Sequence, residues 1–134
     1  MILVDSSAWI EFDRETQRAV DRRLAELITT TDEVATTDPV IMEVAAGAKD
    51  ASRETELRRL LSRFVLLPFD TPTDFDAAVR IYRTCRSRGV TPRGLVDCMI
   101  ASVALRHDAT LLCRDGDLVQ VAAVMGIKLD PASS

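Results

Sequence analysis

The sequence is poor in rings, thiols and imidazoles. Aromatic residues make up 4% of its 134 positions, too few for a surface that stacks bases as RNA-recognition and single-strand-binding modules do. Any contact with a nucleic acid must then rest on charge. The three cysteines, Cys85, Cys98 and Cys113, form no C-x-x-C pair, are odd in number and each sit in an apolar stretch. They read as core thiols in a reducing compartment. The single histidine, His107, lies beside Asp108 at an expected helix end and reads as a surface residue. With so few soft donors, zinc is a poor fit for any metal site here. The longest apolar run, Cys98 to Leu105, is broken by Ser102 and is far too short to span a bilayer. The opening MILVDSSAW has no basic segment and reaches an acid by its fifth residue, which predicts a cytoplasmic protein. There are no repeats, low-complexity tracts or linkers, so one domain is expected over residues 1–134.

What is present suits a folded chain: 47% hydrophobic and 28% charged residues, a composition too apolar for intrinsic disorder. The net charge of −4 does not suit a partner that is a polyanion, but the charges are unevenly spread. From Arg80 to Arg114 there are seven arginines against two acids, whereas residues 11 to 70 carry thirteen acids and nine bases. That leaves room for a local basic strip, with solvated helix faces as the ordinary alternative.

Met1 to Val4 is a short apolar run followed at once by Asp-Ser-Ser, the pattern of a buried strand running into a helix N-cap. Helices are predicted over Ser7–Asp13 and Thr16–Thr30, then a short strand over Glu33–Thr36. Asp38-Pro39 starts a helix stopped by Gly47, with Glu43 inside an otherwise apolar turn. Further elements are a helix over Ser52–Phe64, a strand over Val65–Pro68, and a helix from Thr71-Pro72 to about Ser87. Thr91 to Gly94 reads as a loop, Leu95–Arg106 as a helix, and Ala109–Cys113 as a strand. Asp115-Gly116-Asp117 reads as a turn into a last helix, Leu118–Met125, with a short strand near Ile127–Leu129 and a loose tail from Pro131. Strands alternating with helices imply an α/β fold of three layers, α/β/α, with a mostly parallel sheet of four to five strands. Such sheets bind ligands beyond the carboxyl ends of their strands, where the strand order reverses.

Most of the twenty-one acids are easily placed on solvated surface, but a few are not. Asp5 ends the first strand, where capping the following helix is the plain role. Glu43 has few helical neighbours to pair with. Asp97 is a charge in the apolar run Gly-Leu-Val-Asp-Cys-Met-Ile-Ala, where it would meet the positive end of a helix dipole. Asp115 and Asp117 follow a strand and would serve a turn. All of these sites fall at strand ends or helix beginnings, which a doubly wound sheet brings to one edge. Carboxylates packed together must take up protons or bind a hard cation, and oxygen donors alone suit Mg²⁺ or Mn²⁺.

Four stretches in this order resemble the PIN-domain ribonucleases, and within them the VapC toxins of bacterial toxin–antitoxin pairs. They are Met-Ile-Leu-Val-Asp5-Ser6-Ser7-Ala-Trp9-Ile, Pro39-Val-Ile-Met-Glu43-Val, Asp97-Cys-Met-Ile-Ala101 and Arg114-Asp115-Gly-Asp117. Ser6 stands where the family usually has Thr, and Leu118 where an aromatic commonly follows the last Asp; neither removes a ligand. The resemblance covers nearly the whole chain. It implies a PIN-like fold and a Mg²⁺- or Mn²⁺-dependent endoribonuclease that leaves a 5′-phosphate and a 3′-hydroxyl. Asp5 and Asp97 are then the principal metal ligands, with Asp115 or Asp117 completing the set and Glu43 orienting the attacking water or a second ion. Ser6 or Ser7 would bond a ligand carboxylate or a phosphate, and Arg86, Arg93 and Arg114 would hold RNA phosphates. It also implies a VapB-like antitoxin whose C-terminal segment crosses the acidic groove, and a toxin homodimer.

Rival chemistries fit less well. An aspartyl-phosphate phosphohydrolase needs a second Asp two residues after the first, where Ser7 stands, and a metal-dependent adhesion site needs Ser where Trp9 stands. The rival outside enzymology is a binding module whose acids seat a basic partner peptide.

Overall fold

The computed structural model describes residues 1–30 and 33–134. Four short strands, β1 (Ile2–Val4), β2 (Val34–Thr36), β3 (Val65–Leu66) and β4 (Thr110–Leu112), form one sheet in the order β3-β2-β1-β4 with every pairing parallel. Helices flank it: α1 (Ser6–Asp13), α2 (Ala19–Thr30), α3 (Asp38–Ala46), α4 (Ala51–Leu61), α5 (Thr71–Ser87), α6 (Val96–Arg106) and α7 (Gly116–Met125). The α/β class with a four-stranded parallel sheet is the one the alternating pattern predicts. Leu3, Val4, Val34, Leu111 and Leu112 are wholly buried, as expected of parallel strands covered on both faces. Val65 and Leu66 on the edge strand β3 are exposed.

The chain steps from β1 to β2 to β3 in one direction and returns to place β4 on the other side of β1, so the order reverses at β1. Ile2 pairs with Thr110 and Val4 with Leu112, and the Asp5 N–H continues the ladder to the Leu112 carbonyl at 2.9 Å. Asp5 and the residues after Leu112 are therefore delivered side by side at the carboxyl ends of adjacent strands, the place where such sheets bind ligands.

Local chemistry explains where the helices begin. Pro39 and Pro72 occupy the first turns of α3 and α5, where the missing N–H costs nothing. In α5, Asp74 accepts from the Asp70 N–H at 2.7 Å, and it is buried against Arg106 of α6, whose Nη2 and Nε donate to it at 2.8 and 3.2 Å. Arg106 Nη2 also donates to the Pro68 carbonyl at 2.6 Å, which fixes α6, and with it Asp97, against α5 and the end of β3. Trp9 of α1 packs edge-on against Phe12 and tilted against Phe64.

Several boundaries differ from the sequence reading, each for a physical reason. α2 starts at Ala19 rather than Thr16 because Glu15 and Gln17 take left-handed backbone conformations, φ 51° and 60°, which no helix continues through. α7 starts at Gly116, two residues earlier than expected, because Asp115 caps it by accepting from the N–H groups of Asp117 and Leu118. It ends at Gly126, whose φ of 71° suits glycine at a helix end. The expected strand at Ile127–Leu129 is a single parallel bridge between Leu111 and Leu129. The tail expected to be loose is tied down: Ser133 Oγ accepts from the Cys113 N–H, and the Ser134 N–H donates to the Cys113 carbonyl. No helix among the described residues is long and apolar enough to cross a membrane.

Candidate metal centre

Beyond the carboxyl ends of β1 and β4 the structure gathers acids from four parts of the chain. Asp5 is the N-cap of α1 and is buried; Ser7 holds its Oδ2 from both its N–H (3.1 Å) and its hydroxyl (2.5 Å). Ser7 Oγ in turn accepts from the Arg114 N–H at 2.9 Å, joining the end of β1 to the end of β4. Asp5 Oδ1 is buried with no hydrogen-bond partner among the described residues. Glu43, half-buried on α3, accepts from Ser6 Oγ at 2.9 Å. Asp97 lies in the first turn of α6, Asp115 caps α7 and Asp117 lies in its first turn.

Asp97, Asp115 and Asp117 each offer an oxygen, and these oxygens lie within 4.8 Å of one another. Asp5 and Glu43 fall outside this trio but within reach of its charge. Burial, and then the charges of Glu43 and Asp115, push the Asp5 carboxyl up to about 6 even against the two Ser7 bonds that favour its ionised form. Burial and the charges of Asp115, Asp5, Glu43 and Asp117 push Asp97 up to about 7. Asp117 goes the other way: the Arg93 N–H and Nε both donate to its Oδ2, at 3.0 and 2.9 Å, and hold its carboxyl below the usual range.

This donor set fits a hard divalent cation. All candidate ligands are carboxylate oxygens, and three of them approach to about the span of ligands around one ion. A buried carboxylate oxygen without a partner is costly unless a proton or cation meets it, and Asp5 Oδ1 is such an atom. An ion would also offset the burial, and then the repulsion from neighbouring acids, that push the Asp97 and Asp5 carboxyls up.

The arginines predicted to hold RNA are more scattered. All three are exposed. Arg86 and Arg93 line one shallow hollow of about 410 Å³ with Tyr82 and Leu95. Arg114 instead lies 3.5 Å from Glu11. Glu11 was not singled out in the sequence. Its Oε1 lies between Arg114 and Arg18, while its Oε2 is buried with no partner among the described residues. The only sequence signal was its place four residues after Ser7, one helical turn along α1.

The PIN domain family model matches residues 2–124, so that all five acids fall inside the matched region. The chain belongs to the PIN domain family. Among curated proteins, this PIN domain is 36% identical over 129 residues to ribonuclease VapC11 of Mycobacterium tuberculosis, a match covering 96% of each chain. That places it with the VapC branch. Among solved structures it resembles VapBC2 from Rickettsia felis bound to a promoter DNA fragment, with TM-score 0.74, 19% identity, and 100% and 99% of the two chains covered. It also resembles DNA-bound VapBC from Salmonella typhimurium, with TM-score 0.72, 21% identity and 96% of each chain covered. At those identities the structures speak for the fold. The three free cysteines are buried in the core, and burial pushes the thiols of Cys98 and Cys113 up to about 11 and about 12, which leaves them out of the chemistry.

Proposed function

We propose that this PIN domain is the toxin of a toxin–antitoxin pair, an endoribonuclease that hydrolyses RNA phosphodiester bonds with Mg²⁺ or Mn²⁺ held by its carboxylates. One observation carries the reading: the oxygens of Asp97, Asp115 and Asp117 converge within 4.8 Å of one another, in a cluster whose charge reaches the buried Asp5. The 36% identity to a VapC ribonuclease over nearly the full length supports the choice of RNA as substrate.

Asp5, Asp97, Asp115 and Asp117 would hold the ion. When bound, it supplies Lewis acidity, lowering the pKa of a water and offsetting charge on the phosphoryl oxygens. Glu43, kept in one orientation by the Ser6 hydroxyl, aligns the attacking water. Ser7 fixes Asp5 and the end of β4 as one unit, so that the acids on different strands keep their spacing. Attack on phosphorus in line with the O3′ leaving group gives a 5′-phosphate on one fragment and a 3′-hydroxyl on the other. Arg86, Arg93 and Arg114 hold flanking phosphates, which makes binding weaken as salt rises.

A VapB-like antitoxin fits the same groove, because a segment bearing arginine finds a seat among these carboxylates. The solved relatives described as VapBC support a partner of that kind, and the same reading includes a toxin homodimer.

The test is to incubate the purified chain with a labelled pool of structured RNAs in Mg²⁺, Mn²⁺ or EDTA, then challenge the products with an exonuclease that requires a 5′-phosphate. Metal-dependent cleavage at discrete sites, giving exonuclease-sensitive fragments, supports the reading. A folded chain that cuts nothing under any metal favours the peptide-binding module instead.

A further inference from the structure

The loop between α5 and α6 carries Arg93 across to the first turn of α7. There its backbone N–H and its Nε both donate to Asp117 Oδ2. Among the described residues this is the one ion pair made by any member of the Asp97, Asp115 and Asp117 trio. The guanidinium also lies in the fields of Asp115 and Asp97, so that a single positive charge faces all three acids. Yet the Arg93 side chain is 86% exposed. It can leave without burying or stranding any charge of its own, and Asp117 keeps the bond from the Arg93 backbone when the side chain goes.

A cation of charge two entering the trio would meet that guanidinium as a like charge at close range, and it would compete for the same carboxylate. We infer that Arg93 is a resident counter-cation of the acidic cluster, held on Asp117 until a divalent ion displaces it, so that metal loading frees the guanidinium at the mouth of the site. The inference rests on the reading of the cluster as a metal site. It makes Arg93 a positioning residue that acts through Asp117. Its release links the two halves of the proposed chemistry: before loading it balances acids, and after loading it is available to an RNA phosphate.

The experiment is a Mn²⁺ titration of the full chain without RNA, reading free Mn²⁺ by its electron paramagnetic resonance signal. It compares wild type, Arg93→Ala, Arg93→Lys, Asp97→Asn, Asp117→Asn and the Arg93→Ala, Asp117→Asn double variant. Removing one like charge at this range should tighten Mn²⁺ binding by roughly three- to tenfold in Arg93→Ala, with the gain shrinking as ionic strength rises. Arg93→Lys keeps the charge and should bind within about twofold of wild type. In the Asp117→Asn background the arginine is no longer held, and Arg93→Ala should change affinity by less than about twofold. Unchanged or weaker Mn²⁺ binding in Arg93→Ala, with binding to wild type intact and lost in Asp97→Asn, overturns the counter-cation while leaving the metal site standing. A wild-type chain that binds no Mn²⁺ overturns both.

Discussion

Ser6 donates a 2.9 Å hydrogen bond to Glu43 Oε1, joining the start of α1 to the middle of α3 across 37 residues of sequence. A glutamate on a helix has three side-chain torsions, and this bond restricts them where the proposed chemistry needs one orientation. The pair also explains why Glu43 sits in an apolar stretch: its partner comes from another element.

If Glu43 works as proposed, Ser6→Ala should lower kcat for RNA cleavage by about tenfold with a smaller change in KM, since the lost bond orients a group rather than binding substrate. Glu43→Gln should cost more, and adding Ser6→Ala to it should cost little further. Single-turnover rates across this cycle measure the coupling. Additive losses would separate the two residues.

The acids also predict how stability depends on pH. Asp97 and Asp5 titrate at about 7 and about 6 in the folded chain, against 3.8 for an ordinary Asp. The folded, metal-free chain therefore holds protons that the unfolded chain has lost. The stability tied to those protons is fully present below about pH 4 and disappears as pH rises through 6 and 7. After a discount for the partial exposure of Asp97, its share is about 1–2 kcal/mol. Urea midpoints of metal-free protein should fall between about pH 5 and pH 8, and Asp97→Asn should flatten that slope. Equal slopes in the two proteins would show that Asp97 is not held protonated.

The same protons should leave when metal enters. At about pH 6.5, calorimetric titration with Mn²⁺ in buffers of different ionisation enthalpy should report net proton release on binding, and the release should diminish at about pH 8. Binding without proton release would mean that the ion avoids Asp97 and Asp5.

A fourth prediction concerns the scaffold. Arg106 joins the buried Asp74 of α5 to the Pro68 carbonyl and so sets the position of α6. Arg106→Ala leaves the Asp74 carboxylate buried without its cation and should destabilise the fold by about 3 kcal/mol in urea unfolding. A loss under about 1 kcal/mol would mean that packing alone holds α6.

The parts of this fold legible in the sequence were those governed by neighbours in the chain. An apolar run ending in Asp-Ser-Ser marked β1 and its cap, and Pro39 and Pro72 marked two helix starts. What stayed hidden depends on distant partners or on rare backbone conformations. The turns at Glu15 and Gln17 carry no glycine to announce them. The tail looked loose because its anchors, Leu111 and Cys113, lie some twenty residues away. The sequence could not choose between Asp115 and Asp117. In the structure both join Asp97, one capping α7 and the other held by Arg93, a partner 24 residues away.

The most direct test of the central claim, that carboxylates from β1 and α6 form one cutting centre, is cleavage of a labelled RNA by Asp5→Asn and Asp97→Asn. Both should be run beside wild type in Mg²⁺ and Mn²⁺, with circular dichroism confirming the fold. The account predicts that each variant stays folded and loses cleavage by at least about a hundredfold, the size expected when a ligand carboxylate is removed from a hydrolytic metal site. Folded variants that cut RNA at the wild-type rate would contradict it.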